Sequence, residues 1–252
     1  MQTKTEKNGN ISYDTIISNV TLIDGSGTAA INADVALENG RIVQIASAGV
    51  LHDWQAAHLI DGSGKVLSPG FIDVHTHDDT NVIRQPEMLP KLSQGVTTVV
   101  VGNCGISAAP VSLQDKNALP PDPMNLLGHA EAFSYSSFAS YVAAVNRAQP
   151  SVNVAALVGH TALRSNHMDR LDRAATAEEI EAMCMQLREA LGHGALGLST
   201  GLAYGNAISA PTSEVMALAA PLAEAGGIYA THLRSEFADI LEAMDEAFRI
   251  GK

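Results

Sequence analysis

Pro69-Gly70 divides the chain into two stretches whose hydrophobic rhythms demand different architectures. Before it, short β-like runs, YDTIISNVTLI, ADVALENGRIVQIA and HLIDGSGKVLS, are broken by turn residues. Asn39-Gly40 lies between ADVALE and RIVQIA, the strongest short-range signal for a β-hairpin. The DGSG segments at Asp24 to Gly27 and Asp61 to Gly64 open no helix, so turn chemistry explains them better than phosphate binding. Residues 11–69 therefore read as a small all-β unit, preceded by a polar tail, MQTKTEKNGN. After Gly70 runs of strand length alternate with helical patterns, which implies βα units and a parallel sheet.

In residues 70–252 the spacing predicts strands at 71–77, 96–104, 152–160, 195–202 and 228–234. A helix over 176–191 puts Ile180, Met183, Cys184, Leu187 and Leu191 on one face and opens with a capping-box pattern, Thr176 to Glu179. Another spans 213–225 and stops at Gly226-Gly227. A last one carries Phe237, Ile240, Leu241, Met244 and Phe248 at helical spacing. Residues 105–150 form a long insertion after the second strand, with prolines at 110, 120, 121 and 123 and one helix in SSFASYVAAVNRA. Insertions at that end of a strand commonly shape a binding site. Five strand-helix units are compatible with an open five-stranded sheet; a closed eightfold barrel takes about 200 residues or more.

Composition excludes several classes of function. With 252 residues and 46% hydrophobic content the chain can bury a large core. Twenty-seven acidic residues against 15 basic ones give a net charge of −12, which repels phosphate backbones and anionic membranes, so no nucleic-acid or membrane partner is expected. No apolar run approaches the ~20 residues of a membrane span. Cys104 and Cys184 suggest no disulfide framework, and with no signal peptide in view the expected location is cytoplasmic.

The chemistry-bearing residues gather at the C-terminal ends of the predicted strands. His75 and His77 are two apart at the end of the first, where period-two geometry turns both to one side. Such a pair can grip one metal ion or simply face solvent. Cys104 ends the second strand in VVVGNCG; a thiolate is a strong zinc ligand, although a lone buried thiol is commonly inert. His232 closes the fifth strand in YATHLRSE. Four potential ligands, His75, His77, Cys104 and His232, thus come from three strands to one rim, where barrel enzymes collect their catalytic groups. His160, in LVGHTALR, either lines the pocket or orients a ligand, or packs against the insertion. Tyr204, in LSTGLAY, either donates to a developing oxyanion or covers the rim. Cys184 falls on the packing face of its helix and is read as structural.

Taken together, PGFIDVHTH, VVVGNCGIS, LVGHTALR, GALGLSTGLAY and IYATHLRSE resemble, in order, landmarks of the D-aminoacylases and N-acyl-D-amino-acid deacylases of the amidohydrolase superfamily. The resemblance runs from about Tyr13 to the last residue. It implies the N-terminal part of a β-sandwich followed by the first five βα units of a TIM-like (β/α)8 barrel, truncated. It also implies zinc as cofactor, with Cys104, His232 and a sixth-strand histidine holding a tight ion and His75 and His77 a weaker second position. The implied reaction hydrolyses the amide bond of a small N-acyl-D-amino acid, with an eighth-strand aspartate as general base. Neither that histidine nor that aspartate falls within residues 1–252, so the resemblance implies an inactive fragment of the enzyme. Many superfamily members place a carboxylated lysine at the end of the fourth strand; here Ser199-Thr-Gly-Leu stands instead, and this with Cys104 argues against a hydantoinase-like or dihydroorotase-like cyclic-amide hydrolase. A non-catalytic scaffold of the same fold would have no need of four intact ligands.

Overall fold

The computed structural model describes residues 12–111, 113 and 119–252; the expected N-terminal tail lies outside them. The chain divides into two compact units, Met1–Gly70 and Phe71–Lys252.

The first unit is one five-stranded sheet of β1 (Ser12–Leu22), β2 (Ile31–Glu38), β3 (Arg41–Ser47), β4 (Gln55–Asp61) and β5 (Val66–Leu67), ordered β3-β2-β1-β4 with β5 also on β1. The hairpin β2–β3 turns at Asn39 and Gly40, both left-handed, as a tight two-residue turn requires. Asp24 and Asp61 each accept the backbone N–H two residues on, from Ser26 and Ser63, so both DGSG segments are Asx turns. Register between β1 and β2 shifts between Ile17 and Val20, and Asn19 there has φ 57. Buried Asp34 fixes this bulge by accepting Asn19 N at 2.8 Å and Leu51 N at 2.9 Å.

The second unit runs β6 (Phe71–Asp73), α1 (Asn81–Arg84), α2 (Leu89–Leu92), β7 (Val96–Val101), α3 (Phe138–Ala148), β8 (Asn153–Gly159), α4 (His160–His167), α5 (Ala177–Gly192), β9 (Gly197–Gly201), α6 (Thr212–Ala225), β10 (Ile228–His232) and α7 (Ile240–Ile250). Its five strands are parallel and lie in sequential order, β6 and β10 at the ends. Val99, Val101, Val158 and Leu198 of the strands join Met183, Leu187, Leu218 and Leu222 of the helices in the main core, the near-continuous apolar strands of a parallel sheet. The capping box of α5 is formed: Thr176 Oγ1 accepts Glu179 N, and Glu179 Oε2 accepts Thr176 N.

Two expectations shift. Strands expected to run to 77 and 104 end at Asp73 and Val101, because Asp73 accepts His75 N and Gly102 turns left-handed. His75, His77 and Cys104 therefore sit on turns just beyond the strands. The last helix, α7, starts at Ile240, so Phe237 precedes it, and the regularly spaced apolar residues lie mostly outward: Phe237 is 84%, Leu241 72% and Phe248 61% exposed. The helix buries Ala243, Glu246 and Ile250 instead, since Arg234 and Thr212 hold the Glu246 carboxylate and Ile250 packs with Leu202 and Val215. Among the described residues, no helix is long and apolar enough to cross a membrane.

Candidate metal centre

The ligand atoms of His75, His77 and Cys104 lie within 4.8 Å of one another. His75 Nε2 is 3.1 Å from Cys104 Sγ, and the two imidazoles meet edge to face with centroids 5.6 Å apart. Burial, with His75 alongside, lowers the His77 pKa, so this ring is neutral at neutral pH. Its buried Nδ1 has no hydrogen-bond partner among the described residues. Burial pushes the Cys104 thiol up. A soft sulfur and two imidazoles this close together, one of them with an orphaned ring nitrogen, suit a divalent transition metal such as zinc, whose charge stabilises the thiolate. The donor set fits the ion that the sequence reading expects.

The other expected residues sit around this group. Half-buried His232 is not one of the tight three; Tyr204 links it to them. Tyr204 Oη lies 3.2 Å from His232 Nδ1, and Cys104 acts on its hydroxyl electrostatically. Burial, reinforced by Cys104, pushes the Tyr204 hydroxyl up to about 12, so it keeps its proton at neutral pH. Glu236 approaches the other side of His232, Oε1 to Nε2 at 3.5 Å.

His160 stands apart from the group. It is fully buried at the start of α4, with Nε2 2.9 Å from Glu214 Oε1. Arg164 pairs with the same carboxylate and also donates to the Leu171 and Arg173 carbonyls, while Ala175 N donates to Glu214 Oε2. This cluster joins α4, the 168–176 loop and α6. Its link toward the cysteine is backbone: Thr161 N donates to Gly105 O at 2.8 Å.

Sequence reasoning passes over Asp79, Ser199 and Glu214, which are buried and hydrogen-bond to partners distant in sequence. Asp79 lies two residues after the His-Thr-His motif, with Asp78 between, the one local signal that marks it. Gly105 is demanded by packing: φ is +74, and a Cβ there would come within 2.7 Å of Gly201 N.

The amidohydrolase family model matches residues 58–250. The D-aminoacylase of Alcaligenes xylosoxydans xylosoxydans is 46% identical over 95% of this chain and 48% of its own length. The N-acyl-D-aspartate deacylase of the same organism is 48% identical over 95% of this chain and 47% of its own. A crystal structure of the Bordetella bronchiseptica N-acyl-D-glutamate deacylase, complexed with zinc and a phosphonate mimic of the tetrahedral intermediate, superposes with a TM-score of 0.88 at 42% identity, over 95% of this chain and 49% of that one. The chain spans about half the length of the curated relatives it matches. On the family model and these identities, the chain belongs to the amidohydrolase family, on the side of the D-aminoacylases and N-acyl-D-amino-acid deacylases.

Proposed function

We propose that the protein is a zinc-dependent hydrolase of N-acyl-D-amino acids, releasing a carboxylic acid and a free D-amino acid. The observation that carries this reading is the convergence of His75, His77 and Cys104 ligand atoms within 4.8 Å at the C-terminal end of the parallel sheet. The relatives' names and the phosphonate-bound neighbour supply the substrate class.

In this reading His75, His77 and Cys104 hold metal, and His232 joins them from the end of β10. A zinc ion held there supplies Lewis acidity toward a carbonyl oxygen and lowers the pKa of bound water to about 7. Tyr204, protonated beside Cys104 and His232, donates its O–H to the oxygen of the scissile carbonyl as negative charge develops there. His160 acts from a distance as a positioning residue, since its bond to Glu214 pins the start of α4 against the cysteine turn. The division into residues 11–69, as part of a β-sandwich, and 70–252, as the first five units of a (β/α)8 barrel, belongs to the same reading. So does a cytoplasmic location, where Cys104 stays reduced.

The test is release of free amino acid from N-acetyl-D- and N-acetyl-L-amino acids by zinc-loaded protein in which residues 1–252 are extended to the full length of the relatives, since residues 1–252 by themselves are expected to be inactive. The reading expects turnover of the D series, loss with a chelator and recovery on adding zinc. Turnover that survives metal removal, or that prefers the L series, would overturn it.

A further inference from the structure

Cys104 lies on a turn, and side chains from two distant parts of the chain hold its backbone. Ser199 in β9 is fully buried. Its hydroxyl accepts Gly105 N at 3.0 Å and donates to the Gly102 carbonyl. One oxygen therefore spans Cys104, gripping the residue after it and the residue two before it. Asp79 adds a second grip, accepting Gly102 N and Ala108 N, each at 3.2 Å. Between these anchors Cys104 itself has φ 56, a left-handed conformation that a residue with a side chain keeps only when its surroundings over-determine it.

Nothing in β9 requires a hydroxyl at this position. The Ser199 backbone pairs regularly with Gly159 on one side and Ala230 on the other, and its neighbour Leu198 is wholly apolar and equally buried. Both partners of the hydroxyl are instead main-chain groups of the cysteine turn. Without it, Gly105 N and Gly102 O would be left in the interior without that bond, and the turn would relax away from left-handed geometry.

Resting on the reading of Cys104 as a metal ligand, we propose that Ser199 is a positioning residue of the metal centre, whose hydroxyl locks the 102–105 turn so that the Cys104 thiol meets His75 and His77. A hydrogen-bonded group behind a ligand fixes that ligand's orientation, and loss of such a partner typically lowers metal affinity about 10- to 100-fold.

The experiment loads the full chain with cobalt(II) and reads the thiolate-to-cobalt charge-transfer absorption, with affinity measured by chelator competition. Ser199→Ala should remain folded by circular dichroism, weaken the charge-transfer band and lower affinity about 10- to 100-fold. Cys104→Ala should remove the band altogether. If Ser199→Ala is folded and keeps both band and affinity while Cys104→Ala loses the band, the positioning role is overturned and the ligand reading stands. If Cys104→Ala keeps the band, the ligand reading fails, and the inference with it. Ser199→Gly is the second variant; should neither it nor Ser199→Ala fold, the hydroxyl serves the fold at large and the inference is overturned.

Discussion

Cys104 and Cys184 are nearly equal in burial, at 6% and 5% exposure, yet their surroundings differ. Cys184 packs within α5 beside Met183 and Leu187, its Sγ directed at the Ala217 carbonyl. Cys104 meets His75, Sγ to Nε2 at 3.1 Å, with Tyr204 acting on it electrostatically. Cys104→Ala should therefore abolish tight zinc binding, whereas Cys184→Ala should keep it and cost about 1 kcal/mol of stability, the loss of a small apolar contact. Metal content and denaturant melts of the two variants check this. The place of Cys104 beside His75 and His77 was legible in the sequence because VVVGNCG puts a thiol just past an apolar strand on the rim shared with them. The Ser199 and Asp79 contacts were not, since they join residues 94 and 23 positions from their backbone partners and no local pattern announces them.

At the scale of elements, Glu214 joins α6 to α4 and the loop between α4 and α5. Glu214→Ala would strand the Arg164 guanidinium in the interior, and breaking such a buried pair costs about 3–5 kcal/mol. Burial alone would raise the Glu214 carboxyl, but His160, Ala175 N–H and Arg164 outweigh it and hold it at about 2. The unfolded chain takes up that proton near 4.5 while the folded chain does not until about 2, so this stability is complete above the first value and lost as pH falls toward the second. The stability gap between wild type and Glu214→Gln should accordingly narrow over that range in denaturant titrations; a gap independent of pH would contradict the assignment. In the first unit, burial raises the Asp34 carboxyl, and N–H donors from Asn19, Leu51 and Gly49 more than offset it. Asp34→Ala should cost about 1–3 kcal/mol for the buried Leu51 N–H it leaves unpaired, and less for the exposed Asn19 N–H, measured by the midpoint of unfolding.

Across the whole molecule, period and turn chemistry made the order of elements legible. The Asn39-Gly40 hairpin, the five parallel strands and the capped α5 follow from local residues. Long-range packing decided the rest. α7 shows an apolar stripe at the right period, but the Arg234–Glu246 pair and the place of Ile250 turn another side inward. His160 ends a strand-like run, as the rim residues do, yet it faces Glu214 in the interior. If Cys104 and the His75-Thr-His77 motif share a zinc ion, X-ray absorption at the zinc edge of the metal-loaded protein should show a sulfur scatterer at about 2.3 Å beside nitrogens at about 2.0–2.1 Å, with the sulfur lost in Cys104→Ala. A shell of nitrogen and oxygen alone in the wild type, or a sulfur that survives Cys104→Ala, would contradict it.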